Sequence, residues 1–384
     1  MLEEIRLLPA KEKSILRGHP WVFSGALYNV PSKPGIWAKL CDHNGRFLAI
    51  GYTEAGSIAF KIAGYQDVDP MALIEQRIER ALQLRAHLGL LNNAQTNIFR
   101  AFFAEGDGLP GLIADCYGQH IVLQFHALAL YHMRNEIAEI YQKAGFKTVY
   151  SKSKESLQQG LALDEYLIGH KHEEVFLEYG NRFKIDWETG QKTGFFIDQR
   201  ENRRLLGSLA ANRRVLNVFS YSGGFSVYAL NAHAKWVVSV DSSKKAIELC
   251  HNNVELSKNP SSHDALAVDA FEYLQNMPDD FDVVVLDPPA FAKNQRVTHN
   301  AVQAYKRINA MAMKHMQKGS DLLTFSCSQH ISRELFVSTI RAAAIESKKS
   351  VQIIMQLQQP ADHPQNLLHP EGEYLKGLWV KVLS

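Results

Sequence analysis

The sequence predicts an α/β protein whose C-terminal half is a doubly wound, mostly parallel sheet, preceded by a small β module and a central α+β module. Three observations carry this. From Asn202 onward, short apolar runs of parallel-strand character alternate with helical segments. An amphipathic helical stretch, with its apolar residues at three- and four-residue steps, divides the β-rich start from the remainder of the chain. The 384 residues are too many for one ordinary domain.

The elements run in order. Residues 1–66 hold short strand-like runs, "WVFSGAL", "GIWAKLCD", "FLAIGY" and "SIAFKIAGY", with Asn44-Gly45 as a hairpin signal. "DVDPMALIEQRIERALQLRAHLGLL" is the amphipathic helix: Pro70 sits near its start, and Leu73, Ile74, Ile78, Ala81, Leu82 and Leu88 form its apolar stripe. Residues 98–175 read as β-β-α-β-β. "NIFRAFFAEGDGLPGLIADCYGQHIVLQFH" supplies the first pair around a Gly-Asp-Gly turn, "ALYHMRNEIAEIYQKAG" the helix, and "TVYSKS" opens the second pair. "VFLEYGNRFKIDW" reads as a hairpin with Gly180-Asn181 at its tip. The runs "RVLNVF", "WVVSVD", "DALAVD", "FDVVVLD" and "DLLTFS" are the parallel strands, separated by helices such as 243–256 and 301–316. "VQIIMQLQQ" and "YLKGLWVKVL" have no helix between them and are expected to pair antiparallel. The predicted domains are 1–66, 67–180 and 181–384.

Composition narrows the class. A 46% apolar and 21% charged chain with net charge +2 is ordinary for a globular protein with a sizeable core. Residues 1–66 carry 8 basic and 5 acidic side chains, residues 67–180 carry 10 and 15, and the rest carry 24 and 20, so the two ends are mildly basic. Cys41, Cys116, Cys250 and Cys327 form no CxxC pair, which argues against zinc or a disulfide framework, and no metal is expected. "MLEEIRLLPAKEKS" lacks the basic start and apolar run of a signal peptide, and a cytoplasmic protein is expected.

"VLNVFSYSGGFSVYAL" is a strand, a turn containing Gly223 and Gly224, and a helix. Glycines there let the backbone approach a ligand. The next two strands end in Asp241, placed to take two ribose hydroxyls, and Asp269, placed to accept from an adenine amine. A glycine turn with two acidic strand ends is the S-adenosylmethionine pattern. The bland alternative makes both aspartates helix N-caps. The expected cofactor set is Phe219, Ser220, Gly223, Gly224, Asp241, Ser242, Asp269, Ala270 and Asp287, with Gln199 and Arg200 from "TGQKTGFFIDQRENRR". Arg200 would meet the methionyl carboxylate or an RNA phosphate. The competing reading of that segment is a helix N-terminus capped by Asp198, with Arg203 and Arg204 solvated.

Two strand ends carry the chemistry. In "FDVVVLDPPAF", Pro288 holds Asp287 extended at the strand end, and Pro289 and Phe291 make an apolar wall for a flat base. In "LLTFSCSQHIS", Cys327 stands where the apolar run stops, between Ser326 and Ser328, where a thiol is better hydrated and more easily ionised than in a core. A thiolate adds to an electron-poor ring and a nearby acid manages protons, which points to methylation of cytosine carbon 5. Cys250, Cys41 and Cys116 read as buried hydrophobes. Lys13, Arg17, His19 and Trp21 are candidates for phosphate contact and stacking, although Trp21 also reads as mostly core.

The stretches "EKSILRGHPWVFSGAL", "GDGLPGLIAD", "KTGFFIDQR", "LNVFSYSGGFSV", "VVSVDSS", "FDVVVLDPPAF", "LLTFSCS" and "HPEGEYLKG" run in order through nearly the whole chain. They resemble the bacterial 23S ribosomal RNA cytosine-C5 methyltransferases that place a PUA domain before the catalytic domain. The resemblance implies a PUA-like domain, a central β-β-α-β-β domain and a class I, Rossmann-like methyltransferase domain, acting on 23S ribosomal RNA. It also implies Cys327 as nucleophile and Asp287 at the base. Other cytosine-C5 RNA methyltransferases carry a second cysteine where this chain has Pro289, so release of the product needs another base. Two alternatives stay open: methylation of another RNA base, and a non-catalytic RNA-binding factor in ribosome assembly. So does the choice between monomer and homodimer.

Overall fold

The computed structural model describes residues 2–29, 33–158, 160–171, 174–291 and 298–384. The chain divides into two compact units, one made of Met1–Phe176, Ile185–Ile197 and Ala361–Gly372, the other of Leu177–Lys184, Asp198–Pro360 and Glu373–Ser384.

In the first unit, β1 (Glu3–Arg6), β2 (Trp21–Phe23), β3 (Trp37–Cys41), β4 (Phe47–Thr53) and β5 (Ile58–Gly64) form one sheet in the order β1-β3-β4-β5-β2. A one-turn helix, α1 (Lys13–Leu16), buries Ile15 against Ile5, Val22, Leu40 and Phe60. The β3–β4 turn forms at the expected place, with the Asp42 carboxylate accepting from the amides of Asn44 and Arg46. Strand β1 lies outside the expected runs. Only Ile5 of its four residues is buried, so no two-residue alternation marks it.

Helix α2 (Pro70–His87) starts as its sequence dictates: Asp69 caps it by accepting from Met71 and Ala72, and proline takes the first turn. Its buried face holds Leu73, Ile74, Ile78 and Ala81, and also Arg85, which binds both oxygens of Asp107 at 2.8 Å. The central sheet is β6 (Ile98–Phe103), β7 (Leu112–Tyr117), β8 (His120–Phe125), β9 (Thr148–Lys152) and β10 (Asp164–Ile168), ordered β10-β9-β8-β7-β6. It has three strands before its helices rather than two. Gly-Asp-Gly belongs to a one-turn helix, α3 (Ala104–Asp107), ended by Gly108 at φ 88°. A second reversal comes at Gly118 (φ 61°), inside a stretch read as a single strand. Helices α4 (Leu128–His132) and α5 (Arg134–Lys143) cross from β8 to β9.

The hairpin of β11 (Phe176–Glu178) and β12 (Asn181–Phe183) turns at Tyr179 and Gly180, both with positive φ (49° and 75°), one residue earlier than expected. Asn181 is instead buried and donates to the Glu178 carbonyl at 3.0 Å, which closes the turn.

The second unit alternates as predicted after α6 (Arg200–Leu209). It runs β13 (Arg214–Val218), α7 (Gly224–Asn231), β14 (Trp236–Asp241), α8 (Lys244–Val254), β15 (His263–Ala267), α9 (Ala270–Gln275) and β16 (Val283–Leu286). It continues with α10 (Thr298–His315), β17 (Asp321–Ser326), α11 (Arg333–Glu346), β18 (Val351–Gln358) and β19 (Lys376–Val382). The sheet order is β15-β14-β13-β16-β17-β19-β18. Neighbours from β15 to β17 are parallel, and β19 lies antiparallel between β17 and β18. The order reverses between β13 and β16, so a crevice opens at their C-terminal ends, where such sheets bind ligands. Among the described residues, no helix is long and apolar enough to cross a membrane.

Candidate active site

The loop leaving β13 is strained: Phe219, Tyr221 and Gly223 have φ of 61°, 44° and 77°. The two glycines differ from expectation in what they make room for. A Cβ on Gly223 would lie 2.6 Å from Cys250 Sγ, and one on Gly224 would lie 3.0 Å from Arg203 Cδ, so both serve internal packing. Cys250 is fully buried, as are Cys41 and Cys116. The Ser220 amide donates to Val240 at 3.0 Å, while its hydroxyl is buried without a partner among the described residues.

The Asp241 carboxylate accepts from the amides of Tyr221 at 3.0 Å and Ser243 at 2.9 Å, tying the loop to the end of β14. It is no N-cap, because Ser243 caps α8. Asp269 is an N-cap: its Oδ1 accepts from Phe271 and Glu272 at 2.8 and 3.1 Å. Its Oδ2 has no partner among the described residues. Ser242 is exposed and Ala270 buried, each beside its aspartate.

Asp287 follows β16, with Pro288 buried and Pro289 exposed beyond it. Phe291 meets Tyr305 edge to face at 4.8 Å. Gln199 Nε2 donates to Asp287 at 3.0 Å and is itself fixed by Asn202, which donates to its Oε1 at 2.6 Å. Asp198 does not cap α6. One of its oxygens accepts from the Tyr374 hydroxyl at 2.7 Å, and the other is buried without a partner among the described residues. Burial first, then the Asp198 charge, pushes the Asp287 pKa up to about 7, against the opposing pull of Gln199 and Arg203. Asp287 is therefore poised to exist in both protonation states near neutrality.

Arg203 is not solvated as one reading of its segment had it. It is buried and grips both oxygens of Glu178 at 2.7 Å. Arg200 is buried too, 3.1 Å from Glu201, whereas Arg204 is exposed over the Tyr179 ring.

Cys327 leaves β17, the parallel neighbour of β16, so thiol and carboxylate share the crevice as expected. Its ionisation is otherwise. Burial, then the charges of Asp287 and Asp198, pushes the Cys327 pKa up to about 12. The flanking hydroxyls do not hydrate the thiol. Ser326 and Ser328 are fully buried, and Ser328 Oγ pairs with the Tyr305 hydroxyl at 3.0 Å.

One site residue has no counterpart in the sequence reading. Lys376 opens β19 opposite Ser326 and is buried. Its Nζ donates to the Ser328 carbonyl at 2.7 Å, and its charge, after a backbone hydrogen bond to the thiol, opposes the rise in the Cys327 pKa. Burial pulls the ammonium pKa down to about 8. The available signal was a lysine inside an apolar run expected to pair in the sheet.

Lys13, Arg17 and His19 belong to the first unit. The first two are exposed, and His19 Nδ1 accepts from the Trp21 amide at 3.1 Å. Trp21 is half-buried, donating to Glu105 at 2.9 Å, with its ring 4.4 Å from His369. No group of three metal-ligating side chains occurs among the described residues.

A seven-stranded doubly wound sheet with an acidic strand end beside a glycine turn defines a nucleoside-binding α/β enzyme, and comparison makes the class specific. Residues 159–374 match the family of S-adenosylmethionine-dependent methyltransferases, and residues 5–63 match the PUA-like domain. The chain is 36% identical to ribosomal RNA large subunit methyltransferase I of Erwinia tasmaniensis, over 99% of this chain and 100% of the relative. The protein of that name in Escherichia coli O139:H28 is equally similar, 36% identical over the same shares. A methyltransferase structure from Streptococcus mutans superposes with a TM-score of 0.85 at 21% identity, over 99% of this chain and 100% of that one. A methyltransferase solved with S-adenosylhomocysteine gives a TM-score of 0.84 at 22% identity over the same shares. These two show the fold. The chain belongs to the S-adenosylmethionine-dependent methyltransferases, in the family of ribosomal RNA large subunit methyltransferase I.

Its cofactor is S-adenosylmethionine. The crevice fits that molecule. Among the described residues, Ser220 offers a buried hydroxyl without a partner, the Asp241 oxygens keep lone pairs beyond the two amides they bind, and Asp269 keeps one oxygen without a partner.

Proposed function

We propose that this protein methylates carbon 5 of a cytosine in 23S ribosomal RNA through a covalent Cys327 adduct. The observation that carries this reading is the thiol of Cys327 and the near-neutral carboxyl of Asp287 at the ends of adjacent parallel strands. The names of the relatives, which act on large-subunit ribosomal RNA, support the substrate.

In this reading S-adenosylmethionine supplies the methyl group. Ser220, Asp241 and Ser242 hold its ribose side, Asp269 and Ala270 its adenine, and Gln199 and Arg200 the methionyl end. Phe219, Gly223 and Gly224 shape the loop. Protonated Asp287 donates to N3 of the cytosine as the Cys327 sulfur bonds to C6, drawing the ring electrons toward C5. The Cys327 thiol first loses its proton to solvent, and the Lys376 ammonium stabilises the resulting thiolate before attack. C5 then takes the methyl group, with S-adenosylhomocysteine as the leaving group. Asp287, now ionised, removes the C5 proton, the C6–S bond breaks to restore the ring double bond, and the N3 proton is lost to solvent. Pro288, Pro289 and Phe291 wall the base, which must leave its stack to enter. We further propose 1–66 as a PUA-like RNA-binding domain in which Lys13, Arg17 and His19 touch the backbone, 67–180 as the linker helix and central domain, and 181–384 as the methyltransferase domain.

Mapping 5-methylcytosine in large-subunit ribosomal RNA tests the reading. A strain lacking the gene should lose one modified cytosine, and restoring the wild-type chain, but not Cys327→Ala, should return it. An intact 5-methylcytosine pattern in the deletion strain would refute the assignment.

A further inference from the structure

The first unit contains a cleft of about 470 Å³ remote in sequence from the Asp287 and Cys327 motifs. Its walls include Tyr65, just past β5, Arg77 and Arg80, about one turn apart on α2, and Glu105 and Asp107 on α3. Its charges do not cancel. Asp107 is neutralised by the buried Arg85, and Glu105, which accepts from the neutral Trp21 indole, leaves one negative charge against two arginines. The two arginines have no carboxylate partner among the described residues. Arg77 donates to the Ala63 carbonyl at 3.2 Å, and its Nε is buried with nothing to bind among those residues. Gly108 makes room for it: a Cβ there would come 3.2 Å from that Nε. Two guanidiniums side by side, one half-buried, repel each other, and burial together with Arg80 lowers the Arg77 pKa. Such a pair is relieved by an anion with several acceptor oxygens. Tyr65 keeps 48% of its surface exposed at the same wall, leaving ring area on which a base can stack.

We propose that this cleft docks an unpaired nucleotide of an RNA strand, its phosphodiester held by Arg77 and Arg80 and its base stacked on Tyr65. The substrate being RNA rests on the function proposed above; the charge and shape of the cleft do not. Unlike the exposed Lys13 and Arg17, the site is concave, so it would fix the register of the strand.

The test is fluorescence anisotropy of the full-length protein with a labelled single-stranded RNA of about 12 nucleotides. Arg77→Gln with Arg80→Gln should weaken binding by roughly tenfold or more. It should also flatten the slope of log Kd against log salt by about 0.7 per lost phosphate contact. Tyr65→Leu should weaken binding with the slope unchanged. Arg80 is exposed, so Arg80→Gln alone tests the idea in a chain certain to fold, and unchanged S-adenosylmethionine affinity checks the double variant. Unchanged RNA affinity and slope in the double variant would overturn the proposal. Adenosine 5′-monophosphate and inorganic phosphate should compete only poorly; displacement of RNA by either at micromolar concentration would make this a free-nucleotide or phosphate site and overturn it equally. If the wild type binds RNA through these arginines yet installs no 5-methylcytosine, the functional reading falls and the docking site stands.

Discussion

In the free protein Cys327 should behave as a resting thiol, and two of its charged neighbours, Lys376 and Asp287, should move its reactivity in opposite directions and in different pH ranges. With its pKa pushed up to about 12, only about one molecule in 100,000 carries the thiolate at pH 7, rising tenfold with each pH unit. Removing a nearby charge moves such a pKa by roughly one unit or more, or about 1.4 kcal/mol per unit. Lys376→Met removes the opposing cation and should slow alkylation of Cys327 by iodoacetamide about tenfold at pH 7. That loss should fade above pH 8, where the native lysine sheds its own proton. Asp287→Asn removes an anion that exists only above about pH 7, so it should speed alkylation about tenfold at pH 9 and have little effect at pH 6. The assay is mass spectrometry of the Cys327 peptide after timed alkylation, with denatured protein as the reference thiol. Alkylation of native Cys327 with a midpoint near 8.5, or a shift of the same sign from both substitutions, would refute this electrostatic reading.

Gly223→Ala should destabilise the fold by about 2–4 kcal/mol, combining a disfavoured left-handed alanine with a methyl 2.6 Å from Cys250 Sγ. Urea unfolding should show part of that loss recovered against a Cys250→Ala background, and none recovered would remove the clash. Asp241→Ala should weaken S-adenosylmethionine binding by roughly 1.5–3 kcal/mol in calorimetry, the scale of hydrogen bonds to a charged group. Because the folded Asp287 pKa lies above its unfolded value, its contribution to stability is present in full below about pH 4 and is lost as pH rises through about 7. Asp287→Asn should abolish that part of the decline, so wild type and variant with parallel stability curves between pH 4 and 8 would contradict the buried, half-protonated acid.

The alternation after Asn202 was legible because parallel strands buried on both faces read as plain apolar runs bounded by helices. The same rule hid other features. Strand β1 buries only Ile5, and β7 and β8 join through a tight Gly118 turn inside a stretch read as one strand. Buried charges were the larger loss. Arg85, Arg203 and Lys376 look like surface residues until their partners Asp107, Glu178 and the Ser328 carbonyl, distant in sequence, come beside them. The place of Cys327 was readable from its strand end. Its reluctance to ionise was not, because it depends first on burial and then on Asp287 and Asp198, which only folding brings about.

Trapping with RNA that carries 5-fluorocytidine at the target position tests the central claim most directly. If Cys327 attacks C6, fluorine at C5 cannot leave as a proton does, and a protein–RNA adduct should survive denaturing electrophoresis. It should require S-adenosylmethionine, form in Cys250→Ala, and be absent in Cys327→Ala, which should still bind the cofactor. A Cys327→Ala protein that forms the adduct, or still methylates cytosine at C5, would contradict the account.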